Sequence, residues 1–434
     1  MHTNVNQSIQ VAFQTLESRF INPETGLLFN YTNTDGTVQL PTEEECSLGK
    51  PNHLSWNCPL EDGAYYNGLY LDALVNRALY MNCLDAKRAA ERTAKGLLSL
   101  LVCGPESGFI ARGYIGKHKY HYRAGSNDQT FPWFYGLWRY ARSSICIGDA
   151  KATCISSVEQ VAMALHHREF KIPSDPPEMG DRGNYMLPNP ADVAKLLFIC
   201  RALYDLTSKD IWLERYNEYL KACPIGSNQT RFEILSRGAG FEPYDGQSVF
   251  YCLADGEAME HVFGEKKPII TTQLFTRSMV DIALRGLMDM TMGEPEWEVF
   301  RQALIGDAKH LLTHIPRYKG YISSQAPDFS DNWRVMNALW HPHNNMRETG
   351  VLAWRQMPLW FRECPRFPYE NAFVREPLYA GYVVALCGTE EIPDAKEALS
   401  SMLTYYHWDT LYTSTFYVAL LIHGQLLANK NNQP

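Results

Sequence analysis

The 434-residue sequence lacks any apolar run approaching the roughly 20 residues of a membrane-spanning helix. Its start, Met1-His2-Thr3-Asn4, has no charged stretch leading into an apolar one. The expectation is a soluble, cytoplasmic chain, with a periplasmic location open if a signal was removed. An excess of positive charge is missing too: 40 Lys and Arg stand against 48 Asp and Glu, a net charge of −8. Without a basic field, neither nucleic acid nor an acidic membrane is an expected partner.

Motifs for several chemistries are also absent. The eleven cysteines come no closer than Cys146 and Cys154, so there is no C-x-x-C metal or redox pair, and most are expected to be buried free thiols in a reducing compartment. No H-E-x-x-H, phosphate loop, G-x-S-x-G elbow or strand leading into G-x-G-x-x-G occurs. Nor is there a D-x-D-D cluster for terpene cyclisation or a close Cys and His set for zinc-dependent lanthionine formation. Neither a metal nor another cofactor is expected. Asn30-Tyr31-Thr32 and Asn228-Gln229-Thr230 match the glycosylation pattern, which is too common by chance to weigh.

What is present is helical spacing. Leu71, Leu74, Val75, Ala78 and Leu79 fall at i, i+3, i+4, i+7 and i+8, and Val193, Leu196, Leu197, Cys200 and Tyr204 form a similar stripe, whereas no series of alternating β-branched runs appears. The spacing predicts twelve helices over about 4–20, 62–80, 86–103, 128–146, 153–168, 191–208, 210–222, 273–291, 296–315, 375–388, 393–406 and 411–428. Their connections alternate between short and long, the long ones being 21–61, 104–127, 169–190, 223–272 and 316–374. Helices joined by tight turns form hairpins, and this alternation puts every long loop at one end. The fold class expected is therefore all-α: one domain spanning 1–434, a closed (α/α)6 barrel of six hairpins whose long loops form the mouth of a pocket. The even-numbered helices, rich in Gly, Ala and aromatic residues, would form its inner layer. An open repeat array is disfavoured because the spacing drifts.

Two acidic positions stand at starts of expected inner helices: Glu61-Asp62-Gly63 and Ser126-Asn127-Asp128-Gln129. Either acid alone is well explained as a helix cap. Together they would open onto one cavity beside aromatic residues such as Tyr65 and Trp133. A carboxyl pair flanked by aromatic platforms suits sugar hydrolysis, in which one acid stays protonated to donate while the other stays ionised to orient water.

The loops carry the opposite charge. Segment 104–127 holds Arg112, Lys117, Lys119 and Arg123 against Glu106 alone, and segment 316–374 has seven Lys or Arg against five acids, with Arg375 next. Arg grips planar carboxylates bidentately, so Arg112, Arg123, Arg347 and Arg375 are candidate holders of a uronic acid, although loops carry surface Arg in any protein. Four Trp in 316–374 fit a sugar-stacking wall or an anchor for the loop. His121 beside Tyr120, and His343 in His341-Pro342-His343-Asn344-Asn345, offer a rival chemistry. There Tyr or His would abstract the proton next to a uronate carboxyl, as in a polysaccharide lyase or sugar epimerase.

With these residues the chain resembles the six-hairpin glycosidases, in particular unsaturated glucuronyl hydrolases and related uronic-acid-processing enzymes. The sharper points of likeness are Leu60-Glu61-Asp62-Gly63-Ala64-Tyr65 and Asn127-Asp128-Gln129. The resemblance implies Asp128 as general acid/base and Asp62 as its partner, acting without a metal on a terminal uronic acid of an anionic oligosaccharide. It departs from the family where Glu61 precedes the first Asp and Thr130-Phe131-Pro132 follows the second. Saturated and unsaturated uronides both remain open. Glu61, Tyr65, Arg112, His121, Arg123, Trp133, His343, Arg347 and Arg375 are the expected substrate-binding residues. A lyase or epimerase and a non-catalytic sugar-binding protein remain as alternatives.

Overall fold

A computed structural model describes residues 4–240 and 274–431. The chain is mostly helical, and each of the twelve expected helices is present. They are α1 (Val5–Thr15), α2 (Gly63–Tyr80), α3 (Leu84–Ser99), α4 (Asn127–Arg142), α5 (Gly148–His167), α6 (Pro190–Thr207), α7 (Asp210–Lys221), α8 (Met279–Met290), α9 (Glu296–Leu312), α11 (Glu376–Cys387), α12 (Ala395–Tyr405) and α13 (Tyr417–Asn431). A helix not expected from the sequence, α10 (Met346–Glu363), lies within segment 316–374. That segment is thus no structureless loop. Among the described residues the one sheet is a two-stranded ribbon, Tyr114–Ile115 against Tyr120–His121. None of the described helices is long and apolar enough to cross a membrane. The ten described cysteines are free and six of them are buried.

Two kinds of helix are distinguishable by burial. In α6 every residue from Asp192 to Leu203 is buried, and in α11 every residue from Glu376 to Leu386. A helix apolar on all sides has to be enclosed by others. By contrast α3 buries one stripe, with Ala86, Ala89, Ala90, Thr93, Ala94 and Leu97 inward and its charged residues outward. The enclosed helices neighbour one another: α2 packs on α4, α4 on α6, α6 on α8, α8 on α11 and α11 on α13, while α13 also packs on α2. The striped helices lie against them, α3 on α2 and α4, α5 on α4 and α6, and α9 on α8 and α11.

The α2–α4 pair approaches most closely. A Cβ on Gly68 would stand 2.0 Å from the Pro132 carbonyl oxygen, and one on Gly136 would stand 2.2 Å from that of Gly68. Only glycine permits this approach. Because both helices run inward from the same end, it brings their first turns together, and those turns carry Asp62 and Asp128.

Candidate active site

A cavity of about 360 Å³ opens where α2, α4, α8 and α11 begin, a volume within the range of small-molecule sites. Its wall includes Glu61, Asp62, Arg112, Asp128, Arg182 and Arg375, together with Trp56, Tyr66, Phe275 and Trp354. Helix N-termini carry partial positive charge, so this end of the bundle favours an anionic ligand.

Neither acid serves as a cap. The hydroxyl of Ser126 caps α4, accepting from the Asp128 N–H at 3.2 Å. At α2 the Asp62 side chain makes no capping bond. The Tyr65 N–H donates instead to Gln129 Oε1 on α4, at 2.9 Å. With capping supplied by other residues, neither carboxyl is tied to a helix end, and both residues line the cavity.

Their environments differ. Asp62 is 9% exposed, and its oxygens accept from Asn30 Nδ2 at 2.9 Å and Gln129 Nε2 at 2.8 Å. Its own N–H donates to Asn30 Oδ1 at 2.9 Å. Burial raises the Asp62 pKa above the usual carboxylate range, while Arg112 and the two amide donors oppose the rise. Glu61 accepts the Asn57 N–H at 2.6 Å. Burial first, and then the Asp62 charge, push it up to about 8. Asp128 is 36% exposed, and its carboxylate has the Lys195 ammonium of α6 3.5 Å away as counter-charge.

Three guanidiniums face these acids. A Cβ at Gly63 would stand 2.0 Å from the Arg112 carbonyl oxygen, so glycine there lets the 104–126 segment press Arg112 against the start of α2. Arg112 is 3% exposed, donates to the Glu61 carbonyl at 3.1 Å, and leaves its Nε without a partner. Arg182 lies 5.6 Å over the Trp56 ring, its Nε likewise unpartnered. Burial, and then the Arg112 charge, lower its pKa to about 10. Neither side chain has a carboxylate within 4 Å among the described residues. Arg375 differs: it is bonded to Glu376 at 3.2 Å and rests 4.1 Å over the Phe275 ring. It lies on a π-helical turn, Asn371–Arg375, leading into α11.

The structure thus gathers Glu61, Asp62, Arg112, Asp128 and Arg375 of the expected residues around one cavity. The others lie outside its lining. Tyr65 is wholly buried beneath it, its hydroxyl donating to the Phe275 carbonyl, and Tyr66 takes the wall position instead. Trp133 faces away, its indole N–H donating to the Leu97 carbonyl at 2.8 Å and fastening α3 to α4. His121, on the ribbon, pairs with Asp175 at 3.0 Å. His343 is 2% exposed, accepts the His53 N–H at 3.2 Å, and is held neutral by burial. Arg123 is half-buried near these two histidines, and Arg347 is exposed at the start of α10.

Sequence reasoning missed Arg182, Trp56, Asn30 and Gln129. Asn30, in the glycosylation pattern, is 2% exposed and bonded to Asp62, a positioning role. Among the described residues no group of three His, Cys, Asp or Glu is arranged to hold a metal. Comparison with known proteins finds no matching family, characterised protein or solved structure.

Proposed function

We propose that the chain is a glycoside hydrolase on an (α/α)6 barrel, acting on a terminal uronic acid residue of an oligosaccharide. The barrel reading is supported by the neighbour order α2, α4, α6, α8, α11, α13 and back to α2, with striped helices outside. The observation that carries the function is the meeting, in one cavity, of Asp128 and the Glu61–Asp62 pair with two guanidiniums that have no carboxylate of their own.

Each component supplies a step. Arg112 and Arg182 are placed to hold the uronate carboxylate, relieving the cost of one buried and one half-buried cation that lack a directly paired carboxylate among the described residues. Trp56, Trp354, Phe275 and Tyr66 offer flat apolar surface to the sugar ring. One carboxyl of the Glu61–Asp62 pair keeps a proton for the leaving oxygen, because two neighbouring buried carboxyls do not both ionise readily. Asp128, with access to water and Lys195 beside it, takes the proton of the attacking water.

The lyase and epimerase chemistry needs a Tyr or His base at the sugar. His121 and His343 stand outside the cavity lining, and burial holds the Tyr66 phenol well above its usual pKa, as a hydrogen-bond donor. Incubation with saturated and unsaturated uronides, read by mass and ultraviolet absorbance, tests the proposal. Gain of one water with loss of a glycosidic bond is expected. New absorbance from an unsaturated product would point instead to a lyase.

A further inference from the structure

Among the described residues three carboxyls line the cavity, whereas glycoside hydrolysis needs two. Asp62 has both oxygens engaged by amide donors, from Asn30 at 2.9 Å and Gln129 at 2.8 Å. Donors on both oxygens favour the anion and leave no oxygen free to turn toward a substrate. Glu61 is disposed differently. Its Oε2 accepts the Asn57 N–H at 2.6 Å, while among the described residues Oε1 has no hydrogen-bond partner and Glu61 lines the cavity. A carboxyl group with one oxygen accepting in this way carries its proton on the other, here the one open to a ligand.

We infer that Glu61 is the proton donor of this site and that Asp62 is the fixed anion beside it. This rests on the hydrolase reading above. In the reaction the Glu61 O–H bond breaks and the proton joins the glycosidic oxygen. The bond from the anomeric carbon to that oxygen breaks with its electron pair going to oxygen, which leaves as an alcohol. Water adds to the anomeric carbon and gives its proton to Asp128; solvent then restores Glu61 and Asp128. Atoms and charge balance as glycoside plus water giving sugar plus alcohol.

The surroundings suit the assignment. Among the described residues Asp62 is the anion that acts most strongly on Glu61, with Asp128 on the same cavity wall. Arg112, Arg182 and Arg375 are the cations of the described lining, the last neutralised by Glu376, and the Cys58 thiol and Tyr31 phenol lie behind. Burial and Asp62 together keep the Glu61 proton in place up to a pH of about 8.

The test compares leaving groups, since an acid matters only when the departing oxygen needs a proton. Wild type and Glu61→Gln are assayed on an alkyl or saccharide uronide and on a 4-nitrophenyl uronide, with melting temperature as the folding control. Glu61→Gln is expected to lose about 10²–10⁴-fold in kcat/KM on the first. On the second its loss should be at least tenfold smaller, and the alkaline limb of the wild-type pH profile near 8 should disappear. Equal losses on both substrates, or none, with an active wild type would overturn the role of Glu61 and leave the hydrolase reading standing. A wild type inactive on every uronide would overturn both. If Glu61→Gln melts early, Asp62→Asn decides: it should shift that limb to lower pH, and an unmoved limb would overturn the pairing.

Discussion

Helices α2 and α4 each carry charge at two places, and the two places are built in opposite ways. About 15 Å below the cavity, Asp72 accepts from Arg139 Nε at 2.6 Å and from the Tyr135 hydroxyl at 3.2 Å. Arg139 also donates to Asn76 at 2.8 Å and lies 3.8 Å from Asp289. At the cavity, Arg112 donates to one carbonyl and among the described residues has no carboxylate in contact. Burial lowers the pKa of both guanidiniums. For Arg139 the attractions of Asp72, Tyr135 and Asp289 together outweigh it, and the net shift is upward; for Arg112 burial prevails over Asp62, Glu61 and Asp128. The lower cluster is therefore electrostatically complete, whereas the upper one, on the proposed reading, would be completed by an anionic ligand.

Asparagine substitutions on the two helices break this comparison most directly. Asp128→Asn should lower kcat/KM on a uronide by about a thousandfold or more while leaving the melting temperature nearly unchanged, since Asp128 is 36% exposed. Asp72→Asn should do the reverse. Leaving Arg139 buried with a weakened partner should cost about 3 kcal/mol in denaturant unfolding, with kcat/KM per folded molecule unaltered. Equal effects of the two substitutions on activity would show that the cavity is not where chemistry occurs.

Next in size is Arg182→Ala. Losing a charged hydrogen-bonding partner should raise the dissociation constant for a uronate about ten- to a hundredfold, measured by calorimetry, with a much smaller change for the neutral sugar. Because Arg182 has no directly paired carboxylate among the described residues, its removal should leave the melting temperature unchanged or slightly higher.

A smaller effect separates the two regions by pH. The folded state holds a proton on Glu61 up to about 8, whereas the unfolded chain releases it near 4.5. The folded state thus binds more protons across that interval, and Glu61 makes stability decline as pH rises from about 4.5 to about 8, then level off. Glu61→Gln should remove that decline. Its melting temperature relative to wild type should rise by a few degrees between pH 5 and pH 8.5, and a constant difference would show that Glu61 is ionised throughout.

Much of this was readable in the sequence because helical periodicity and connection length are local properties. The twelve stripes located their helices, and long links before residues 62 and 128 put both acids at one end. Rotation about a helix axis is another matter. Tyr65 and Tyr66 are equally aromatic, and which one meets the cavity depends on how Gln129 and the packing on α4 set the turn. Trp133 follows Asp128 by five residues, yet that rotation turns it onto α3. Helix α10 did leave a signal, with Asn345 capping Glu348 and apolar or buried positions at 352, 353, 356, 357, 360 and 361. Pro358 and the surrounding charged residues hid it. Arg182 left none, since a lone Arg in an irregular segment looks the same whether it meets solvent or an aromatic wall.

Arg347 gives the smallest expected effect and the sharpest test of what the cationic segments mean. It shares with Arg112 and Arg375 a place in or beside segments with excess positive charge, but it is exposed at the start of α10 and outside the cavity lining. If the segments acted through diffuse attraction, Arg347→Ala would weaken binding of an anionic sugar along with Arg182→Ala, and both effects would fade in parallel as salt rises. If contact inside the cavity is what counts, Arg347→Ala should change the dissociation constant less than twofold and the melting temperature by less than a degree. The Arg182→Ala loss should then largely survive a salt titration from about 0.05 to 0.5 M, because buried pairs are screened much less than exposed ones.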